Sequence, residues 1–275
     1  MENERIRYKA CPLCWSAEIR PFITVNYSQS QFWHEPMEPT IVWVQCGKCE
    51  HIFTEGYFTD EALNTLFTNT PVQEDDFPLL PPPTAGDHTE WRRNVSAKMV
   101  DRVINVIGLP EDRLWIDVGF GKGSLLMTAK EFGFSVFGLD LRERQVEEIR
   151  RMGISAYAGT LQDAISNVEF RSKPTVISMA DVVEHVPFPL DVLRSAREFI
   201  NKPGLLLISM PNAGAPLWEQ WNAKNQNPYW YVVEHYHNFT RERLYAALRE
   251  TGFRPIHYAI SDRYRCCMEV LAEAV

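Results

Sequence analysis

The sequence predicts an α/β fold, a mostly parallel sheet covered by helices on both faces, preceded by a small metal-binding ribbon. Three observations lead there. Apolar strand-like runs alternate with helical patterns from 113 to 210, as in successive βαβ units. The first of these strands runs into glycines spaced two apart, Asp117-Val118-Gly119-Phe120-Gly121-Lys122-Gly123-Ser124, a turn that brings a nucleotide-type ligand close to main-chain amides. Ahead of them lie two Cys-x-x-Cys pairs.

Residues 1–60 carry Cys11-Pro12-Leu13-Cys14 and Cys46-Gly47-Lys48-Cys49. Two tight knuckles supply four thiolates, the ligand set of a structural tetrahedral zinc, and Gly47 permits the chain to turn beneath the sulfurs. A zinc ribbon is therefore expected, with Cys11, Cys14, Cys46 and Cys49 holding structural Zn2+ and no ligand position left for chemistry. Two disulfides or four idle thiols are the alternatives, and disulfides fit a reducing compartment poorly. Residues 61–89 follow as helix and linker: a short helix over 59–69 leads into 71–86, rich in proline and acidic residues, an extended linker or a lid that orders on binding.

The third part, 90–275, opens with a helix over 90–107 whose Val95, Met99, Val103 and Ile107 form one stripe suited to packing on a sheet. After the strand 113–118 and its glycines, a second apolar strand, 134–139, ends at Asp140. That is about the twenty-residue distance at which a carboxylate meets ribose hydroxyls. A buried strand over 175–180 runs into Asp181-Val182-Val183-Glu184-His185-Val186-Pro187. A helix over 191–200 stops before Lys202-Pro203-Gly204, and a strand over 205–210 is stopped by Pro211-Asn212. Trp218, Trp221, Tyr229, Trp230 and Tyr231 then crowd an insertion with Asn212, Asn222, Asn225 and Asn227. Rings with amides among them suit a ring-shaped substrate; the same rings could instead close a core beneath the loop. Cys266 and Cys267, adjacent and without spaced partners, read as ordinary buried thiols.

Asp117-Val118-Gly119-Phe120-Gly121-Lys122-Gly123 resembles the first motif of class I S-adenosylmethionine (SAM)-dependent methyltransferases; a dinucleotide fingerprint places its third glycine later. Asp181 to Pro187 resembles the fourth motif of the small-molecule, quinone-biosynthesis-like group of that family. Lys202-Pro203-Gly204, the strand after it and Pro211-Asn212 nearly reproduce a further signature, with Leu205 where a second glycine is usual. Glu234-His235-Tyr236-His237-Asn238-Phe239-Thr240, with Thr251-Gly252-Phe253, resembles the entry to the family's last helix and strand pair. The resemblance covers 90–275 and implies a Rossmann-like, seven-stranded, mostly parallel sheet and a SAM-dependent methyltransferase. It implies cofactor contacts residue by residue. Amides of Gly119, Gly121 and Gly123 would take the methionine end, Asp117 the amino group, Asp140 the ribose hydroxyls, and Leu141 would lie beside adenine. Thr160 and Leu161 would reach the adenine amine, and Asp181 completes the set. Asp163 is either a further adenine contact or a solvated helix-start carboxylate.

Methyl transfer needs the attacking atom held in line, water excluded and, for many acceptors, a proton removed. His185 is the first candidate base, because an imidazole titrates near neutrality; it could equally orient its loop. Glu184 beside it could assist. A carboxylate here binds a divalent ion in some related quinone O-methyltransferases, but without a second matched carboxylate no such metal is expected. His235 and His237, next to Glu234, form the second candidate set. Tyr231-Val232-Val233-Glu234-His235 resembles the Tyr-x-Glu-His stretch of sugar C-methyltransferases that also begin with a zinc-binding domain, which adds Tyr231 to the candidate catalytic residues. Those enzymes carry a further C-terminal domain beyond the point where this sequence stops.

At 275 residues the chain can bury one full α/β core and carry a small accessory domain. A net charge of -8 disfavours a nucleic-acid substrate, which relies on clustered Lys and Arg. It weighs against an rRNA methyltransferase that uses its zinc module for recognition, and the intact glycine turn with Asp140 weighs against a non-catalytic scaffold. No apolar run is long enough to cross a bilayer, and Met1-Glu2-Asn3-Glu4-Arg5 lacks an apolar signal core, so a cytoplasmic protein with no membrane partner is expected. The expected partner is a small-molecule methyl acceptor, a sugar, nucleotide-sugar or secondary-metabolite intermediate, modified at oxygen or carbon.

Overall fold

Strand and helix alternate through the chain largely where the apolar runs and periodic stretches lie. In the computed structural model, which describes residues 5–28, 33, 38–59, 62, 63, 66 and 87–275, the order is β1 (Arg5–Arg7), β2 (Ile19–Asn26), β3 (Thr40–Cys46), β4 (Ile52–Thr54), β5 (Gly56–Phe58), α1 (Asp87–Ile107), β6 (Leu114–Val118), α2 (Ser124–Glu131), β7 (Ser135–Asp140), α3 (Glu143–Arg151), β8 (Ser155–Ala158), α4 (Leu161–Asn167), β9 (Val176–Ala180), α5 (Pro189–Phe199), β10 (Leu205–Pro211), α6 (Pro216–Ala223), β11 (His237–Asn238), α7 (Arg241–Glu250), β12 (Phe253–Ile260) and β13 (Cys267–Ala274). Short 3-10 turns occupy Val183–His185 and Pro228–Tyr231. The linker expected over 71–86 lies outside the described residues, as does most of the helix expected over 59–69.

The chain divides into two units, one of 77–183, 191–210 and 248–275, the other of 1–76, 184–190 and 211–247. In the first, seven strands form a sheet in the order β12-β13-β10-β9-β6-β7-β8. The run from β10 to β8 is parallel and β12 is antiparallel to β13, the predicted Rossmann-like arrangement. β9 and β10 are buried almost throughout, Ser178 and Ser209 included, because a parallel strand is covered on both faces. The α1 stripe behaves as its periodicity requires: Val95, Met99, Val100 and Val103 share one core with Trp115, Leu125, Val176, Leu207 and Leu271. A second core gathers Phe120, Leu126, Val146, Ile149, Ile154 and Ala156. Trp115 can be wholly buried because its indole Nε1 donates to Ser178 Oγ at 2.7 Å.

In the second unit, β2, β3 and β4 form an antiparallel meander, and β11 joins it on β4 with His237 opposite Phe53. β1 pairs with β5 separately. The segments 184–190 and 211–247, which the sequence assigns to the catalytic domain, are thus gathered with the N-terminal strands. The aromatic insertion closes a core here. Trp218 stacks on Tyr229 (5.0 Å, 12°) and meets Trp230 edge-on at 5.5 Å; Trp230 in turn meets Trp43 at 5.4 Å. Its asparagines fold the insertion: Asn222 Oδ1 accepts from Trp230 Nε1 (2.8 Å) and Asn227 Nδ2 (2.9 Å), and Asn227 Oδ1 accepts from the Tyr229 amide (3.1 Å).

Candidate functional site

The glycine turn leaves β6 with Gly119, Gly121 and Gly123 at φ of 66°, 57° and 78°. A Cβ on Gly119 would lie 2.6 Å from Val182 Cγ2, so glycine is required by packing as well as by backbone conformation. The amides expected to face a ligand mostly shape the turn itself. Gly119 and Phe120 donate to the Leu139 carbonyl (2.7 and 3.2 Å), Gly123 to the Phe120 carbonyl (2.8 Å), and Gly121 to Asp140 Oδ2 (3.0 Å). The ends of β6 and β7 are laced together in this way, and Asp140 sits buried where they meet.

Two more carboxylates stand at strand ends in the same unit. Asp117 is buried, accepts from Ser178 Oγ at 2.6 Å, and its carboxyl is pushed up to about 7 by loss of solvent, against the pull of that hydrogen bond. Asp181 follows β9 in left-handed backbone (φ 57°), its amide donating to the Ser209 carbonyl at 2.7 Å. Its Oδ2 accepts both Nε (3.0 Å) and Nη2 (2.8 Å) of Arg263, while its Oδ1 is buried without a partner among the described residues. Arg263 lies in the turn between β12 and β13, and sequence reasoning missed it; only the strand order explains how so distant a residue reaches the end of β9. Arg263 offsets the charge of Asp181, whose unpartnered oxygen offers an acceptor to a ligand's ammonium group.

Leu141, 47 % exposed, has surface to offer a flat ring. The Leu161 side chain is buried at 1 % exposure and belongs to the core, which leaves its main chain to meet a ligand. Thr160 and Asp163 form a capping box at the start of α4. Asp163 Oδ2 accepts from the Thr160 amide (2.9 Å) and hydroxyl (2.7 Å), and Thr160 Oγ1 from the Asp163 amide (3.1 Å). Asp163 is the helix-start carboxylate, its pKa lowered by those bonds from Thr160.

The second unit brings Glu184, His185 and His235 together, with one ligand atom from each lying within 4.8 Å of the others. The two rings meet edge to face at 4.6 Å. His185 Nδ1 lies 3.0 Å from the Glu234 carbonyl, which can only accept, so Nδ1 carries the proton. By the same logic His237 Nε2–H donates to the Val186 carbonyl (3.0 Å), and His237 Nδ1 accepts from His51 Nε2 (3.1 Å). His237 therefore anchors the loop that carries Glu184 and His185. His235 has a buried Nδ1 with no partner among the described residues, and burial, then His185 and His237, hold its pKa well below the ordinary histidine value. It is a neutral imidazole. Burial pushes Glu234 up to about 7. Tyr231 does not join this cluster: it is 43 % exposed, and Tyr229 is the tyrosine stacked on His235, at 6.3 Å. Glu184, His185 and His235 together have the composition of a cation site as well as an acid–base one, although His235 is not the second carboxylate whose absence argued against a metal.

A family profile described as "Methyltransferase domain" matches residues 89–258, more than half of the chain. The chain belongs to this methyltransferase family. Among curated proteins it is 27% identical over 107 residues to the ubiquinone biosynthesis O-methyltransferase of Proteus mirabilis, covering 38% of this chain and 44% of that protein. It is 28% identical over 156 residues to that of Roseobacter denitrificans, covering 51% and 60%. The chain thus spans about half the length of the curated relatives it matches. Among solved structures it resembles magnesium protoporphyrin IX methyltransferase from Synechocystis PCC 6803 with bound S-adenosylhomocysteine (SAH). The TM-score is 0.59 at 15% identity, over 79% of this chain and 100% of that one. It also resembles the 1,6-didemethyltoxoflavin-N1-methyltransferase of Burkholderia thailandensis with bound substrate and SAH, with a TM-score of 0.54 at 15% identity, over 83% and 97%. At such identities these structures establish the fold.

The methyltransferase profile begins beyond the four N-terminal cysteines, whose geometry carries its own argument. The knuckles match bond for bond. Trp15 N–H donates to the Cys11 carbonyl and Glu50 N–H to the Cys46 carbonyl, while Cys11 and Cys46 donate to Ser16 and His51. The left-handed residue is the one after each second cysteine, Trp15 (φ 58°) and Glu50 (φ 61°), which corrects the expectation that Gly47 makes the turn. No disulfide forms; Sγ–Sγ distances are 3.6 Å for Cys11–Cys49 and 3.5 Å for Cys14–Cys46. A tetrahedral ion with metal–sulfur bonds of about 2.3 Å asks for sulfurs about 3.8 Å apart, so the tetrad fits one. Cys49 is held down to about 4 chiefly by the Cys11 thiol, whose own pKa is raised by the same bond.

Proposed function

We propose that this protein is a SAM-dependent methyltransferase acting at oxygen or carbon of a small metabolite, a sugar, nucleotide-sugar or secondary-metabolite intermediate. The observation that carries the reading is the buried Asp140 carboxylate at the end of β7, tied at 3.0 Å to the amide of the glycine turn that ends β6. In this arrangement Asp140 accepts the ribose hydroxyls, Leu141 lies beside the adenine, and Asp117 and Asp181 hold the amino group. When bound, SAM supplies a methyl already made electrophilic by its sulfonium.

The residues of this chain then have to hold the acceptor and remove its proton. His235 is the proposed proton acceptor, because its buried Nδ1 has no partner among the described residues and its imidazole is unprotonated. His185, fixed in one tautomer by the Glu234 carbonyl, and Glu184 beside it orient the acceptor hydroxyl. The similarity to O-methyltransferases of ubiquinone biosynthesis favours oxygen as the methylated atom. The net charge of -8 favours a small acceptor over a nucleic acid. The four cysteines are proposed to hold structural Zn2+ and to take no part in the reaction.

Calorimetric titration of the metal-analysed protein with SAM and with SAH tests the cofactor, followed by transfer of labelled methyl to hydroxylated aromatic acceptors and to sugar nucleotides. Micromolar binding with turnover on either acceptor class is the expected result. A folded, metal-loaded protein that binds neither SAM nor SAH overturns the reading.

A further inference from the structure

A carboxylate offers about four acceptor positions, two on each oxygen. On Asp140 four donors fill them. Oδ1 accepts from the main-chain N–H of Arg142 (3.0 Å) and from Arg142 Nε (2.9 Å); Oδ2 accepts from Arg142 Nη2 (2.9 Å) and from the Gly121 N–H (3.0 Å). The two amide donors are fixed by the fold and survive nearly any side-chain substitution. The other two belong to one guanidinium, with one donor on each carboxylate oxygen. A vicinal diol donates in the same pattern, one hydroxyl to each oxygen, and can bind here only where those two donors stand.

We infer that the Arg142 guanidinium is a self-ligand of the ribose subsite, occupying both diol positions on Asp140 and leaving them when the 2′,3′-diol of SAM or SAH binds. The inference rests on the reading of Asp140 as the ribose carboxylate. The placement of Arg142 supports it. Arg142 is the N-cap of α3 (φ -87°, ψ 107°) and makes no side-chain cap bond there. An arginine has no acceptor to give to helix amides, and its charge is opposed by the positive end of the helix dipole. The guanidinium turns instead to Asp140, to which it donates twice. The Arg142 side chain is 25 % exposed against 4 % for Asp140, so one partner of the pair has a way out to solvent and the other does not. Cofactor binding is thereby set by an exchange in which a charge-assisted fork gives way to two hydroxyls, and the apparent affinity is lowered by the stability of the fork.

The test is the affinity of wild type, Arg142→Ala, Arg142→Met and Arg142→Lys for SAM, SAH, adenosine and 2′,3′-dideoxyadenosine, by calorimetry and by competition against SAH. Thermal melting without ligand identifies variants that are folded, and Arg142→Met keeps the apolar stem if alanine does not fold. SAM, SAH and adenosine should bind the alanine and methionine variants about three- to thirtyfold more tightly than wild type, with lysine between, because one ammonium cannot bridge both oxygens. Dideoxyadenosine, which lacks the diol, should bind all four alike. Weaker SAM binding by the variants would make Arg142 a cofactor ligand and overturn the exchange. So would an equal gain for dideoxyadenosine, since Arg142 would then obstruct by bulk and not at the diol positions. Tight wild-type binding with no gain on substitution sinks the exchange alone. No binding of SAM or SAH by any folded form sinks the ribose reading and the exchange together.

Discussion

His235 is the residue on which the proposed chemistry turns, and its environment makes a kinetic prediction. Burial and two neighbouring imidazoles hold its pKa well below the ordinary 6.5, so the base form is populated throughout the neutral range and persists into acid. The rate should therefore show no loss through pH 6.5 from this group, and a pH profile of kcat/KM measures it. His235→Ala should lower kcat by about 10²–10⁴-fold, the usual worth of a positioned base, with SAM affinity unchanged. Equal losses in kcat and cofactor binding would instead mark a structural histidine. Tyr231→Phe should be nearly silent, because Tyr231 is exposed and it is Tyr229 that stacks on His235. Asp140→Ala should weaken SAM binding at least tenfold, about 1.4 kcal/mol, by calorimetry; unchanged affinity would remove Asp140 from the cofactor role.

At the scale of elements, the glycine turn lets backbone strain be separated from close packing. Gly153 has φ +74° and open space around its missing Cβ, so Gly153→Ala should cost only the left-handed penalty, about 1–2 kcal/mol. Gly119 combines φ +66° with a Cβ position 2.6 Å from Val182 Cγ2, and a β-branched neighbour has few rotamers into which to retreat. Gly119→Ala should cost more than Gly153→Ala in denaturant melts and should weaken SAM binding as well. The turn, the parallel strands and the α1 stripe were legible in the sequence because each rests on a local period or on a residue type with one conformational use. Other features were not. The Asp181–Arg263 pair joins residues far apart in sequence, and only the strand order brings them together. The pairing of β11 with β4 adds two residues, too short a run to carry an alternation, to a sheet formed near the N-terminus. Rings and amides in 212–231 have the same composition whether they face a ligand or fold their own loop, and hydrogen bonds such as Asn222 to Trp230 decided between the two. Leu161 followed a motif position by analogy, whereas its burial follows from the first turn of α4.

Across the whole molecule, two buried titratable groups in different units pull stability in opposite directions with pH. His237 is pushed down to about 3 from an ordinary 6.5, chiefly by burial. The unfolded chain therefore takes up that proton first as pH falls below 6.5, and stability is lost progressively down to about 3. Asp117 is pushed up to about 7 from an ordinary 3.8, again chiefly by burial. Here the folded chain keeps the proton longer, so its contribution is full below 3.8 and is lost as pH rises toward 7. Chemical denaturation midpoints measured from pH 4 to 8 should consequently show an acid limb that flattens in His237→Gln and a rise-side limb that flattens in Asp117→Asn, which keeps an acceptor for the Ser178 hydroxyl. The tetrathiol centre adds an independent control. Cys14→Ser should release metal and destabilise the unit that holds His237 while leaving the Asp117 limb in place. If His237→Gln leaves the acid limb unchanged in the metal-loaded protein, the loss in acid belongs to protonation of the cysteine ligands and not to the buried imidazole.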